Sequence, residues 1–156
     1  MDRTANPSKD FSTTDLDLPR LYEGVRTRRI ASFVIDYALV LFLSVPAAVL
    51  VFLLGIVTLG IAWGLYAVLL PVIAIAYIGF TMGGHRQATP GMRFAGVHVA
   101  RLDGERVDPA VAVLHGVLFW ASVSILTPLV LLVSVFTARK QLLHDLLLGT
   151  VVVRDR

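Results

Sequence analysis

The sequence predicts an all-α membrane protein: two transmembrane helices, a third apolar segment that crosses or re-enters the bilayer, and a small cytoplasmic β pairing. Three observations lead there. Of the 156 residues, 56% are hydrophobic and only 16% are charged, against about 25% charged in soluble domains. Residues Tyr37–Gly84 run for 48 positions without an Asp, Glu, Lys or Arg. Pro109–Ala138 adds 30 more, interrupted only by the titratable His115. A helix needs about 20 apolar residues to span a bilayer, so the first stretch has room for two spans and the second for one.

The elements follow in order. Residues 1–20 mix Asp, Ser, Thr, Pro and Lys with few large apolar side chains. Such a segment buries too little surface to offset its ordering entropy, and reads as a disordered cytoplasmic tail. It lacks the apolar h-region of a signal peptide. A membrane domain over residues 21–156 follows. Arg26, Arg28 and Arg29 form a membrane-edge anchor, and the first helix is expected over about 30–54, with Pro46 a kink. Gly55–Gly60 is an uncharged turn. The second helix is expected over about 61–80, its internal Pro71 tolerated because neighbouring groups satisfy the freed carbonyl. Gly60 and Gly64 form a G-x-x-x-G spacing that permits close helix approach, within the chain or between copies. Trp63, Tyr66 and Tyr77 fit interfacial belts.

Residues 81–108 form a polar connection carrying Arg86, Arg93, Arg101 and Arg106. Within it Thr89-Pro90 is either a plain turn or a helix N-cap with a first-turn proline. Phe94–Ala100 is strand-like and Asp103-Gly104 marks a turn. The run Thr150–Val153 is strand-like too, which suggests that the two segments pair. The third apolar helix is expected over about 110–137.

Charge sets the orientation. Six Lys or Arg precede the first helix and none lies in the turn after it, so the N-terminus and the 81–108 loop are cytoplasmic by the positive-inside rule. One crossing by the third segment would place the C-terminus outside, yet Arg139, Lys140, Arg154 and Arg156 argue for inside. Two full crossings do not fit in 30 residues, since each leg needs about 20. The alternatives are a single crossing that violates the charge rule and a re-entrant hairpin broken near Thr127-Pro128; the basic C-terminus favours the second.

Composition excludes several classes. With no cysteine, disulfides, zinc–cysteine centres and thiol catalysis are absent. The net charge of +3 is accounted for by membrane-edge arginines, and no basic stripe with interleaved aromatics points to nucleic acid. No Ser-His-Asp order, phosphate loop or H-E-x-x-H pattern is present, so no enzyme and no cofactor is expected.

Asp36 is the most informative residue. It lies seven positions after Arg29, on nearly the same helix face and about 10 Å further along the axis. A carboxylate at that depth costs a few kcal/mol on insertion scales unless it is paired, protonated or facing water. Candidate partners are Arg29, Arg93, His115 and His144. The site is either a proton or cation site or a buried clamp that fixes helix register. His144-Asp145 sits at a membrane edge, where a solvated helix face is the simpler reading. His115 has no second ligand at metal spacing in the sequence, so no metal site is expected there. His85 and His98 read as loop residues.

These residues resemble the signatures of the RDD family of small membrane proteins. Arg29-Ile30-Ala31-Ser32-Phe33-Val34-Ile35-Asp36 is similar to its opening motif, and Leu143-His144-Asp145 with Gly149-Thr150-Val151-Val152-Val153 to its closing one. Gln87-Ala88-Thr89-Pro90-Gly91 with Arg93, Gly96 and Val99 is similar to its connecting loop. The resemblance implies that the family's arginine is Arg29 and its aspartates Asp36 and Asp145. Two positions depart from it: Met92 stands where a lysine is usual, and His115 where an arginine is often found. The resemblance further implies a multi-pass protein of the bacterial plasma membrane and a transport role, since some members are similar to sodium/proton antiporters. Exchange of a monovalent cation for protons, or movement of another small ligand, is then expected to use Arg29, Asp36, Asp145, Arg93, His115 and His144. A pathway enclosed by so few helices implies a homo-oligomer, with Gly60 and Gly64 as a candidate contact. The other reading is a non-transporting membrane adaptor or assembly factor whose Arg/Asp network is structural.

Overall fold

A computed structural model describes Leu16 and residues 18–126 and 134–155. Two long apolar helices dominate it: α1, Val25–Val57, and α2, Tyr66–Met82. A 3-10 turn, Ile61–Leu65, joins them. The helices run antiparallel, since Tyr77 reaches Asp36 and Tyr66 donates to the Ala48 carbonyl at 2.7 Å. Their outer faces are apolar and exposed: Phe42, Val57 and Val72 are 74%, 80% and 58% accessible. A long helix that is apolar all round and unburied matches a hydrocarbon solvent rather than water.

The first helix starts at Val25, not Ile30. Arginine is a good helix former, and the break comes one residue earlier, at Gly24 with φ 67°. The arginine cluster is therefore the first two turns of α1. Pro46 and Pro71 both lie inside continuous helices. The expected helix 61–80 begins as 3-10 turn and ends at Met82. Gly60 is a left-handed cap at φ 97° and Gly64 lies in the 3-10 turn. Within the chain, Gly60 meets only the Trp63 ring and nothing among the described residues approaches Gly64 within 4 Å. Gly79 and Gly83 instead give α2 its close approach to the next long helix, α4 (Pro109–Leu126), meeting Val113 and Pro109.

The connection holds more structure than a loop. Thr89 caps a short helix, α3 (Pro90–Ala95), accepting the Met92 amide at 3.1 Å with Pro90 in the first turn; the N-cap alternative is the one realised. Gly96, at φ 67°, turns the chain directly into β1, Val97–Arg101. The same device recurs at the end of the chain. The short helix α5, Leu143–Leu148, ends at Gly149 with φ 60°, and β2, Thr150–Arg154, follows at once. Both glycines hold the left-handed conformation that side chains with a Cβ disfavour. β1 and β2 pair antiparallel, with Val97 opposite Arg154, Val99 opposite Val152 and Arg101 opposite Thr150.

Alternation gives the ribbon two apolar faces. Val97, Val99 and Val152 pack with Val25, Met82, Ala95 and Ala112 beneath the helices. Val151 and Val153 point the other way, onto Leu16, Leu21 and Tyr22. Much of the expected 1–20 tail lies outside the described residues, but Leu16 and the 3-10 turn Pro19–Tyr22 belong to this packed layer. The tail reading is corrected there: two β-strand valines give those side chains a surface to bury against.

α4 runs parallel to α1, with Phe119 and Trp120 against Phe33 at ring separations of 5.6 and 5.8 Å. It is described only to Leu126, and the break expected near Thr127-Pro128 lies outside the described residues. At Ser134 the chain is back beside the first turn of α1, where Arg26 donates to the Ser134 carbonyl at 2.8 Å.

Candidate functional site

Two carboxylates organise the polar residues, and they do so separately. Asp36 is half-buried on α1, about 17 Å from the helix start at about 1.5 Å per residue. Its Oδ1 accepts the Tyr77 hydroxyl at 2.5 Å and the Gly91 amide at 2.8 Å, and its Oδ2 accepts the Thr89 hydroxyl. Thr89 thus works twice, capping α3 and donating to Asp36. Gly91 is required by close approach: a Cβ there would meet the Ser32 carbonyl and come within 2.7 Å of the Asp36 carboxyl carbon.

Asp145 is fully buried. Its Oδ2 lies 2.5 Å from Arg29 Nη2 and accepts the Leu142 amide at 3.0 Å. Around Oδ1 stand Thr150 Oγ1 at 3.5 Å, His144 Nε2 at 3.5 Å and His115 Nδ1 at 3.7 Å. The two imidazoles meet edge to face with centroids 4.7 Å apart, and Phe119 closes on His144 at 5.4 Å. Burial pushes the Asp145 carboxyl up, but Arg29 foremost, with the two histidines and the Leu142 amide, outweighs it and holds the group below the usual carboxylate range. Burial also dominates at His144, opposed by Asp145 and reinforced by His115 and Arg29, and lowers it to about 3. It is a neutral imidazole at pH 7.

The expected pairing of Arg29 with Asp36 is therefore corrected. Seven residues along a helix separate the two by about 10 Å, and each is claimed by a nearer partner: Arg29 by α5 and Asp36 by α2 and the start of α3. Among the described residues no basic side chain forms an ion pair with Asp36. Arg93 lies exposed on α3. His115 and His144 join the Asp145 cluster rather than Asp36. His144 is 1% accessible, not solvated, because α5 tucks beneath α4. His98 is a buried strand residue whose Nδ1 lies 2.6 Å from Asp155, not a loop residue.

The two clusters open onto one cavity of about 540 Å³ between α1, α2 and α4. Arg29, Asp36, Tyr77, Thr89, His115 and His144 contribute to its wall, beside the rings of Phe33, Tyr37, Phe119 and Trp120. Sequence reasoning missed Tyr77, Thr89 and Gly91 as the Asp36 shell. Tyr77 was accounted for as a belt residue. The Thr-Pro-Gly run was a signal in plain view, since a threonine before a first-turn proline holds a hydroxyl at a helix start.

The RDD family model matches residues 24–149. The chain belongs to the RDD family. The match takes in α1 through Gly149 and so includes every residue of both carboxylate clusters except Thr150. Neither the comparison with curated proteins nor that with solved structures gives a match. Family membership and the two long apolar helices together make this RDD-family chain a membrane protein.

Proposed function

We propose that this membrane protein exchanges a monovalent cation for protons, with Asp36 as the carboxylate that alternates between them. The observation that carries this is the division of labour between the two aspartates. Arg29, the nearest fixed positive charge on the same helix, is spent on Asp145, and among the described residues Asp36 holds hydroxyl and amide donors. An intramembrane carboxylate without a fixed counter-ion has to take up a proton or a cation, or face water. Its shell suits the exchange. The Tyr77 and Thr89 hydroxyls turn lone pairs inward when a cation arrives, and with Asp36 and the Ser32 carbonyl they offer the all-oxygen set that hard cations prefer. The adjoining cavity gives the ion and its water a place to stand.

In this reading the N-terminus is cytoplasmic, the protein is multi-pass in the cell membrane, and the segment from Pro109 to Ser134 re-enters without crossing. The Arg26–Ser134 contact and the β1–β2 pairing support that topology. Two spans and a returning segment enclose too little for a two-sided pathway, so the transporting unit is a homo-oligomer.

Asp36→Asn tests the reading, because it keeps the shape and removes the charge. Cation-dependent proton flux in proteoliposomes is expected to vanish while expression and oligomer size stay intact; unchanged flux refutes exchange at Asp36. One observation favours a second reading, a non-transporting membrane adaptor or assembly factor: the donors around Asp36 fasten α3 to α1 as a clamp does. On that reading Asp36→Asn costs folded protein, and wild-type vesicles carry no flux.

A further inference from the structure

Four buried polar atoms converge beside Asp145 without making good hydrogen bonds to one another. Thr150 Oγ1 and His115 Nδ1 are 3.4 Å apart, and Asp145 Oδ1 lies 3.5 Å from Thr150 Oγ1, 3.5 Å from His144 Nε2 and 3.7 Å from His115 Nδ1. Hydrogen bonds involving nitrogen usually close to about 2.7–3.2 Å. All four residues are buried, at 0–5% accessibility, where unmet polar groups are costly. The spacing fits another purpose. Ligands bonded to a tetrahedral ion at about 2.0–2.1 Å stand about 3.4 Å from each other. We propose that His115 Nδ1, His144 Nε2 and Asp145 Oδ1 bind a divalent transition-metal ion of the zinc type, with the Thr150 hydroxyl at the fourth vertex.

The donor set has the right chemistry: two imidazoles and a carboxylate, whose ligand atoms all lie within 4.8 Å of one another. Arg29 Nη2 takes Oδ2 and leaves Oδ1 to the ion, the outer-shell arrangement that orients a ligating carboxylate. His144 Nδ1 has no hydrogen-bond partner among the described residues, so a proton there leaves the Nε2 lone pair for the ion. Entry is provided for, since His115 and His144 line the cavity. The three ligating residues come from α4 and α5 and the hydroxyl from β2. An ion at their meeting point ties the returning apolar segment to the sheet layer. The site uses none of the Asp36 shell, and its occupancy is read without any flux measurement.

Tag-free protein in detergent, stripped with chelator and titrated with Co²⁺, is expected to bind one ion per chain. It should show the strong visible bands of a tetrahedral centre, and Zn²⁺ should displace the cobalt and raise the melting temperature. His115→Gln and His144→Gln should each weaken Co²⁺ binding by about tenfold or more, whereas His85→Gln leaves it unchanged. Melting curves in chelator establish that the variants fold; where one does not, the stoichiometry and spectrum of the wild type decide. Folded wild type that binds neither Co²⁺ nor Zn²⁺ overturns the site, as does full-strength binding in both histidine variants.

Discussion

Replacing Arg29 by methionine isolates the Arg29–Asp145 pair. The pair is 2.5 Å long, with side chains 13% and 0% accessible. Methionine keeps the aliphatic stem and deletes the charge, leaving Asp145 with the Leu142 amide and the two imidazoles beside it. Removing one partner of a buried pair costs about 3–5 kcal/mol, because the remaining charge stays buried and uncompensated. For a chain of this size that corresponds to a fall of roughly 6–20 °C in Tm. The pH dependence carries the sign. In the wild type the Asp145 carboxyl is held below its usual range, so its contribution is present above the unfolded pKa and is lost as pH falls through the folded one. Without Arg29, burial becomes the governing influence and raises the carboxyl, so acidification protonates it in the folded protein and relieves the penalty. Melting in detergent with chelator, from pH 7.5 to about 4.5, should show the gap between variant and wild type shrinking as pH drops. Arg29→Met/Asp145→Leu should recover most of the loss, since a buried pair replaced by apolar side chains is often neutral or better. A variant that melts with the wild type at pH 7.5, or a gap that widens on acidification, would refute the reasoning.

Other outcomes follow from the same geometry. Gly91→Ala pushes a methyl group into the Ser32 carbonyl and the Asp36 carboxyl; an overpacking cost of about 1–3 kcal/mol is expected by thermal melt, with protease sensitivity appearing between Arg86 and Gly96. Tyr77→Phe removes an O–H donated to Asp36 at 2.5 Å and should cost about 1.5–3 kcal/mol, measured as stability in detergent. His144, lowered to about 3, stays neutral in the folded protein while the unfolded chain takes up a proton below about pH 6.5. Wild-type stability in chelator should then fall by up to about 1.4 kcal/mol per pH unit below that point, a slope that His144→Phe should make shallower. The native chain has no thiol, so single cysteines at Glu23 and Asp155 report topology; both should label from the same side of sealed vesicles, and opposite labelling would disprove the returning segment.

Both long apolar helices were legible because lipid demands long charge-free runs, and Tyr37–Gly84 has no charged residue. The strand pairing was legible from its β-branched runs, and the glycine-ended helices that precede each strand set where it begins. Helix ends were less so, because Arg26–Arg29 reads equally as a polar anchor and as the first turns of α1. The importance of Asp36 and Asp145 could be argued from depth and motif, but their partners could not. Arg29 and Asp36 share a helix face, and local spacing favours pairing them; only the packing of α5 under α4 brings Asp145 to Arg29. The His115–His144 apposition links residues 29 positions apart, and no local ligand spacing announces it. Tyr77 fits an interfacial belt and Thr89 a turn or an N-cap, and neither pattern says that its hydroxyl also donates to Asp36.

The claim on which the functional account rests is that Asp36 trades a proton for a cation while Asp145 stays ionised against Arg29. Infrared difference spectroscopy on the reconstituted protein, with and without Na⁺ at fixed pH, reads that trade at the carboxyl group itself. A protonated-carboxyl stretch that disappears on adding Na⁺, survives in Asp145→Asn and is missing from Asp36→Asn is the predicted result. A spectrum with no cation-dependent carboxyl band, or one that persists unchanged in Asp36→Asn, contradicts it.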